Sequence, residues 1–342
     1  MDGQGLLEAL DDDSLDYIFA QITCELTQQS IARTCKFFHQ RVRKTRTVLL
    51  QRALHGNPHP KSKMLPLVPI QNQTLEDIMW YTLACLTRPA TANRRTECFL
   101  VRRRAPFFSR FDFFLQLSTG GQNFRLFSAR KNTLNASAYT IRIMHKVVGQ
   151  IYYDRNSNLF QLVQCDPRQE TGRRLSRQER QAQSTLDVSI HRSRIRPRTL
   201  RVSLPGVNAL TFAAASRNQD CGWIEATTSK AQVAPWPSVS NSEPCLQFVN
   251  IEPRWDDSLR HYVLRYYGRA KLASVKNVQL KSKSRNAKED GKLGRENEAD
   301  VHFLVGKVED DFFNVDFKHG FSFLTAFALA VVIVDSPNSI TF

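Results

Sequence analysis

The chain begins in a helical rhythm and ends in a strand rhythm. Leu6, Leu7, Leu10, Leu15, Ile18, Phe19, Ile22 and Leu26 recur at roughly the spacing that lines one face of a helix. Asp13 or Ser14 is suited to cap a helix running to about Ile22. Ile31, Cys35, Phe38 and Val42 continue the apolar set, while Lys36, Arg41, Arg43, Lys44 and Arg46 make the other face basic. Residues 1–53 therefore read as a small helical segment. Gly56, Pro58, Pro60, Pro66 and Pro69 break the pattern, so residues 54–95 read as a linker carrying one helix over Thr74–Leu86.

From Glu97 onward the period becomes two. Phe111, Phe113, Leu115 and Leu117 alternate with Asp112, Phe114 and Gln116, and Ser118-Thr119-Gly120-Gly121 marks a turn before Phe124 and Leu126. A hairpin over 110–128 follows from this. Further strands are expected at 139–143, 150–153, 159–163, 199–204, 261–267, 274–280, 301–308 and 312–317. Many short strands at close spacing point to a sandwich or a barrel.

Two segments interrupt the alternation. Residues 168–201 hold ten arginines, no lysine and only Glu170, Glu179 and Asp187 as acids. Residues 168–198 read as a solvated basic insertion, with two other readings open: a phosphate-contacting arm for lipid or nucleic acid, or a modification site at Ser176 behind Arg173-Arg174. Residues 281–300 have no apolar period and read as a disordered loop.

The last apolar run, Phe321–Val334, has hydrophobic residues on nearly every side of a helix. Such a helix has to be surrounded. At about 1.5 Å per residue it is roughly 21 Å long, short of a bilayer core of about 30 Å. A buried helix enclosed by strands is expected, with Phe323, Ala326, Phe327, Leu329 and Ala330 packed inside, and no transmembrane span.

The net charge of +16 adds an attraction to polyanions: anionic lipid, nucleic acid or acidic protein. Seven widely spaced cysteines without a C-x-x-C pair suit free thiols in a reducing compartment. The acidic opening, Met1–Asp13, reads against a secretory signal. No G-x-S-x-G, P-loop or G-x-G-x-x-G occurs, and His55 and His59 are split by Pro58, so neither enzyme chemistry, a cofactor nor a metal site is expected.

A family resemblance rests on particular stretches. Gly268-Arg269-Ala270 is followed by Ala273-Ser274-Val275-Lys276-Asn277-Val278, and preceded by Trp255-Asp256-Asp257. Then come Val305-Gly306-Lys307-Val308, Asp311-Phe312-Phe313, Asp316-Phe317 and the closing Phe323–Asp335 run. Upstream lie Pro197-Arg198, Val202–Asn208 and Cys98–Arg103. In this order they resemble the tubby-like family across most of residues 96–342. The resemblance implies an α+β fold: a closed antiparallel barrel of about twelve strands around a hydrophobic C-terminal helix.

It also implies a function. Tubby-like domains bind phosphatidylinositol bisphosphate through a lysine and an arginine in a G-K-x-R strand, helped by an asparagine before the tyrosine of the preceding strand. Vicinal phosphates suit cations that point the same way off a strand. Here the corresponding lipid-binding positions are Gln150, Tyr152 and Ala138. Arg142 is the first candidate to replace the missing charge, since period two puts it on the face of Ala138; Lys131, Lys146 and Arg155 follow.

Ala32–Phe38 and the Leu10, Leu15, Ile18, Phe19, Ile22, Cys35, Phe38 face resemble an F-box, although Asp11 stands where the pattern has proline. Plant tubby-like F-box proteins join the two parts in this order. An F-box docks its apolar face on a Skp1-like adaptor of a cullin ubiquitin ligase. The expectation is a cytoplasmic adaptor, peripheral at the plasma membrane or nuclear, monomeric outside its complexes, with phosphoinositide or other anionic lipid and a Skp1-like adaptor as partners. The alternatives are a nucleic-acid-associated protein and a barrel that has lost lipid recognition and binds only proteins.

Overall fold

Alternating apolar residues give strands with one buried face, and a ring of such strands can bury a helix that is apolar all round. The computed structural model shows this arrangement; it describes residues 86, 95–105, 108–116, 123–131, 137–143, 146–165, 175–191, 198–208, 245–258, 260–283 and 300–336. The strands are β1 (Thr96–Ala105), β2 (Phe108–Gln116), β3 (Asn123–Lys131), β4 (Ser137–Ile143), β5 (Lys146–Asp154), β6 (Leu159–Gln164), β7 (Ser184–His191), β8 (Thr199–Asn208), β9 (Cys245–Asn250), β10 (Arg254–Asp256), β11 (His261–Val263), β12 (Val278–Ser282), β13 (Phe303–Glu309) and β14 (Phe312–Phe317). The helices are α1 (Arg177–Gln183) and α2 (Phe323–Asp335). Twelve strands close in the order β1-β14-β13-β12-β9-β8-β7-β6-β5-β4-β3-β2, and β10 and β11 form a separate hairpin. The registered strand pairs are antiparallel throughout.

Helix α2 fills the barrel. Every residue from Phe323 to Val334 is buried. Phe327 stacks on Phe113 at 5.1 Å and on Phe127 at 5.6 Å, and Phe323 meets Phe317 edge-on at 5.1 Å. Stacked and edge-on rings at these distances add to the area they bury. Ser322 caps the helix start: its hydroxyl accepts from Thr325 N, and Thr325 Oγ1 accepts from Ser322 N.

Carbonyls at the other helix end lack intrahelical partners and carry partial negative charge, so cations suit them. Arg102 donates to Val334 O at 3.4 Å, Arg198 to Ile333 O at 3.2 Å, and Lys276 to Ser336 O. Among the described residues no helix is long and apolar enough to cross a membrane.

The stretch 168–198 is corrected. It contributes α1 and the barrel strand β7, in which Leu186, Val188 and Ile190 face inward and are buried. The charge of its arginines masked this short alternation. β9 was also missed. Residues 274–277 form a turn, with Asn277 N donating to Ser274 O, so β12 starts only at Val278. β11 stops at Val263. Residues 281–283 belong to the ordered barrel; the rest of the 281–300 loop except Asp300 lies outside the described residues, as do the F-box-like positions Leu10, Leu15, Ile18, Phe19, Ile22, Cys35 and Phe38.

Candidate functional site

Strands β4 and β5 carry the positions singled out by sequence. Tyr139, Ile141 and Ile143 are buried toward the helix, so Thr140 and Arg142 face outward. Ile151 is buried inward on β5, which turns Gln150 and Tyr152 to the same exterior. Thr140 stands directly opposite Gln150, and Arg142 opposite Val147. Ala138 is half-buried at a register shift between Ser137 and Tyr139.

Gln150 and Tyr152 have become partners. The Tyr152 hydroxyl donates to Gln150 Oε1. Although it faces outward, Tyr152 is only 3% exposed, and the Arg180 guanidinium of α1 lies 5.0 Å over its ring. Burial raises the Tyr152 phenol above its usual pKa, with Cys165 adding to the shift and Arg180 opposing it. Beneath α1 a polar row crosses the sheet: Tyr152 opposes Gln161, and Gln161 opposes Asp187. Gln161 donates to Asp187 Oδ1 at 3.2 Å and Ser184 donates to it at 2.8 Å. Burial still raises the Asp187 carboxyl.

Helix α1 is set in place locally. Ser176 and Glu179 form a capping box, with Ser176 Oγ accepting from Glu179 N at 3.2 Å and Glu179 accepting from Ser176 N at 2.8 Å. Arg177 reaches Asp154 at 3.0 Å. The Ser157 hydroxyl and Asn156 N–H also donate to Asp154 and hold its carboxyl below the usual range.

The structure thus brings Gln150, Tyr152, Thr140, Arg142 and Arg180 onto one outer face. Arg142 is half-buried and has no hydrogen bond or ion pair among the described residues. The other candidate cations lie elsewhere. Lys131 pairs with Asp335 at 2.9 Å, beside Tyr139, at the end of α2. Lys146 opens β5, and Arg155 lies in the turn after its far end. Arg180 and Arg177 escaped the sequence reading; the Ser176-x-x-Glu179 cap signal inside the arginine-rich stretch was the clue that could have found them. Among the described residues no cluster of histidine, cysteine, aspartate or glutamate could hold a metal ion.

Comparison with known proteins agrees with the geometry. The chain is 28% identical over 142 residues to Protein king tubby 1 of Aedes aegypti, covering 41% of this chain and 29% of that one. It is 35% identical over 99 residues to Tubby-like F-box protein 3 of Arabidopsis thaliana, covering 29% and 23% of the two chains. It is 33% identical over 108 residues to Tubby-like F-box protein 11 of the same plant, covering 31% and 28%. The chain thus spans less than a third of the length of these relatives. The Tub family model matches residues 86–336, the closed barrel and its central helix included, and the chain belongs to the Tub family.

Proposed function

We propose that this protein is a non-enzymatic adaptor whose barrel docks on anionic membrane lipid, phosphoinositide above all, through the outer face of β4 and β5. The observation that carries the reading is Arg142, half-buried and unpartnered among the described residues, on the face it shares with Gln150 and Tyr152 under Arg180. Gln150 and Tyr152 can hydrogen-bond a phosphate oxygen but cannot neutralise it. The charge comes from the two guanidiniums, which suit phosphate geometry. Opening the pocket requires the Tyr152–Gln150 bond to break, so this site is weaker than one with lysine and arginine built into the strand.

The amino-terminal segment, residues 1–53, recruits a Skp1-like adaptor through Leu15, Ile18, Phe19 and Ile22. The F-box resemblance of the segment supports this, as do the relatives named as tubby-like F-box proteins.

Sedimentation with phosphatidylcholine vesicles, with and without phosphatidylinositol bisphosphate, tests the lipid role. Binding should require the bisphosphate and fall about tenfold in Arg142→Ala or Arg180→Ala, since each removes one charge-assisted contact. Equal recovery with neutral vesicles overturns it. Co-purification with Skp1 should be lost in Leu15→Asp, and a complex that persists removes the F-box role.

A further inference from the structure

Asp112 lies on the outer face of β2 and is fully buried, with 0% of its side chain exposed. Three arginines surround it. Arg110 bonds Oδ1 at 2.9 Å, Arg103 of β1 approaches Oδ2 at 3.2 Å, and Arg125 of β3 stands 4.0 Å from Oδ1. These arginine side chains stay 40%, 65% and 38% exposed, respectively. One carboxylate therefore holds three guanidiniums, and two positive charges remain uncompensated among the described residues.

The strand register makes this arrangement costly. Arg103 and Arg110 are direct cross-strand partners. Like charges directly opposite destabilise a sheet. A buried aspartate needs one well-placed cation, so the second and third arginines are not explained by neutralising Asp112. Local rules broken without a structural return mark functional surfaces. Asp112 instead sets the forks side by side, and their unused N–H groups remain accessible.

We propose that Arg103, Arg110 and Arg125, organised by Asp112, form a clasp for a phosphate monoester, separate from the face of Gln150 and Tyr152. A dianionic phosphate matches the two uncompensated charges, and its three terminal oxygens accept from guanidinium forks in the bidentate manner arginine favours. The site does not depend on the proposed pocket. It lies about three strand spacings, roughly 14 Å, from β5 around the barrel. The phosphate belongs either to a lipid headgroup or to a soluble inositol phosphate.

Calorimetric titration of the full chain with soluble inositol hexakisphosphate, beside sedimentation with vesicles carrying phosphatidylinositol monophosphate, separates the two sources. The variant Arg103→Gln with Arg125→Gln should weaken binding in at least one arm by about tenfold or more, as expected for lost charge-assisted bonds. Loss in the soluble arm assigns a free inositol phosphate, and loss in the vesicle arm alone assigns a headgroup. In an Arg142→Ala background the same double variant should still lose binding by a similar factor, which keeps failure here distinct from failure of the pocket. A second readout covers folding. Asp112→Asn lowers thermal stability, and inositol hexakisphosphate should raise the melting temperature of this variant more than that of the parent, because the anion relieves the arginine repulsion. Affinities unchanged within about twofold in both arms, or no greater thermal shift in Asp112→Asn, overturn the proposal.

Discussion

Tyr139 donates its hydroxyl hydrogen to Asp335 Oδ2 at 2.5 Å and so ties the start of β4 to the last residue of the central helix. Lys131 donates to the same oxygen at 2.9 Å. Burial first, and the Asp335 charge second, push the phenol far above its usual pKa, so the hydroxyl remains a donor throughout the physiological range. Tyr139→Phe removes one charge-assisted bond while keeping the ring against Phe111. The expected loss is about 2 kcal/mol. Chemical denaturation with an unchanged m-value checks it.

Gly306 of β13 has no room for a side chain. A Cβ built on it would stand 2.7 Å from the Arg269 carbonyl oxygen and 3.0 Å from Ala270 Cβ. Arg269 cannot retreat freely, because it holds the buried Asp316 through two bonds of 2.6 and 2.7 Å. Gly306→Ala should therefore cost about 1–3 kcal/mol through overpacking. A melting temperature equal to that of the parent would show that the loop over residues 269–272 yields without cost.

The barrel and its helix were legible because each strand repeats a simple rule. Leu100, Phe113, Leu162 and Val305 alternate with outward residues, and Phe323–Val334 is apolar all round. β7 follows the same rule in Leu186, Val188 and Ile190, but it sits among arginines and is eight residues long. The candidate site was half legible. Gln150 and Tyr152 came from the resemblance of Gly149–Tyr152 to the family's G-K-x-R strand, and Arg142 from period two. Arg180 was not, because its position over Tyr152 depends on how α1 folds back over the sheet, which residue spacing does not encode. The arginine clasp around Asp112 needs the pairing of three strands, and register across β1, β2 and β3 is a tertiary property.

Acid should weaken the fold through His302. His302 is half-buried, its ring 5.5 Å from Phe248 and 5.1 Å from His319. Burial, with His319 and Lys318 nearby, lowers its pKa from 6.5 to about 4. The unfolded chain takes up this proton below about pH 6.5 while the folded chain refuses it until about pH 4, so stability is lost as pH falls through that window. The loss approaches about 3 kcal/mol. His302→Phe should flatten the curve between those limits, and the comparison isolates His302 because the carboxylates are common to both proteins. An equal slope in the variant would assign the acid sensitivity to another group.

Restoring the strand cations tests whether the outer face of β5 is the lipid site. Gln150→Lys with Tyr152→Arg puts two positive charges where a hydrogen-bonded neutral pair now stands. The second of these side chains would lie beside Arg180, which now covers the Tyr152 ring at 5.0 Å. Without ligand the double variant should be less stable than the parent, since like charges would share a partly buried space. With vesicles containing phosphatidylinositol bisphosphate the order should reverse. Binding should tighten by about tenfold or more, and the melting temperature should rise in the presence of the lipid headgroup, because a ligand that binds only the folded state stabilises it. The gain should vanish when Arg142 is also changed to alanine if both strands grip one headgroup. A double variant that binds neutral and bisphosphorylated vesicles alike would move the lipid surface away from β4 and β5.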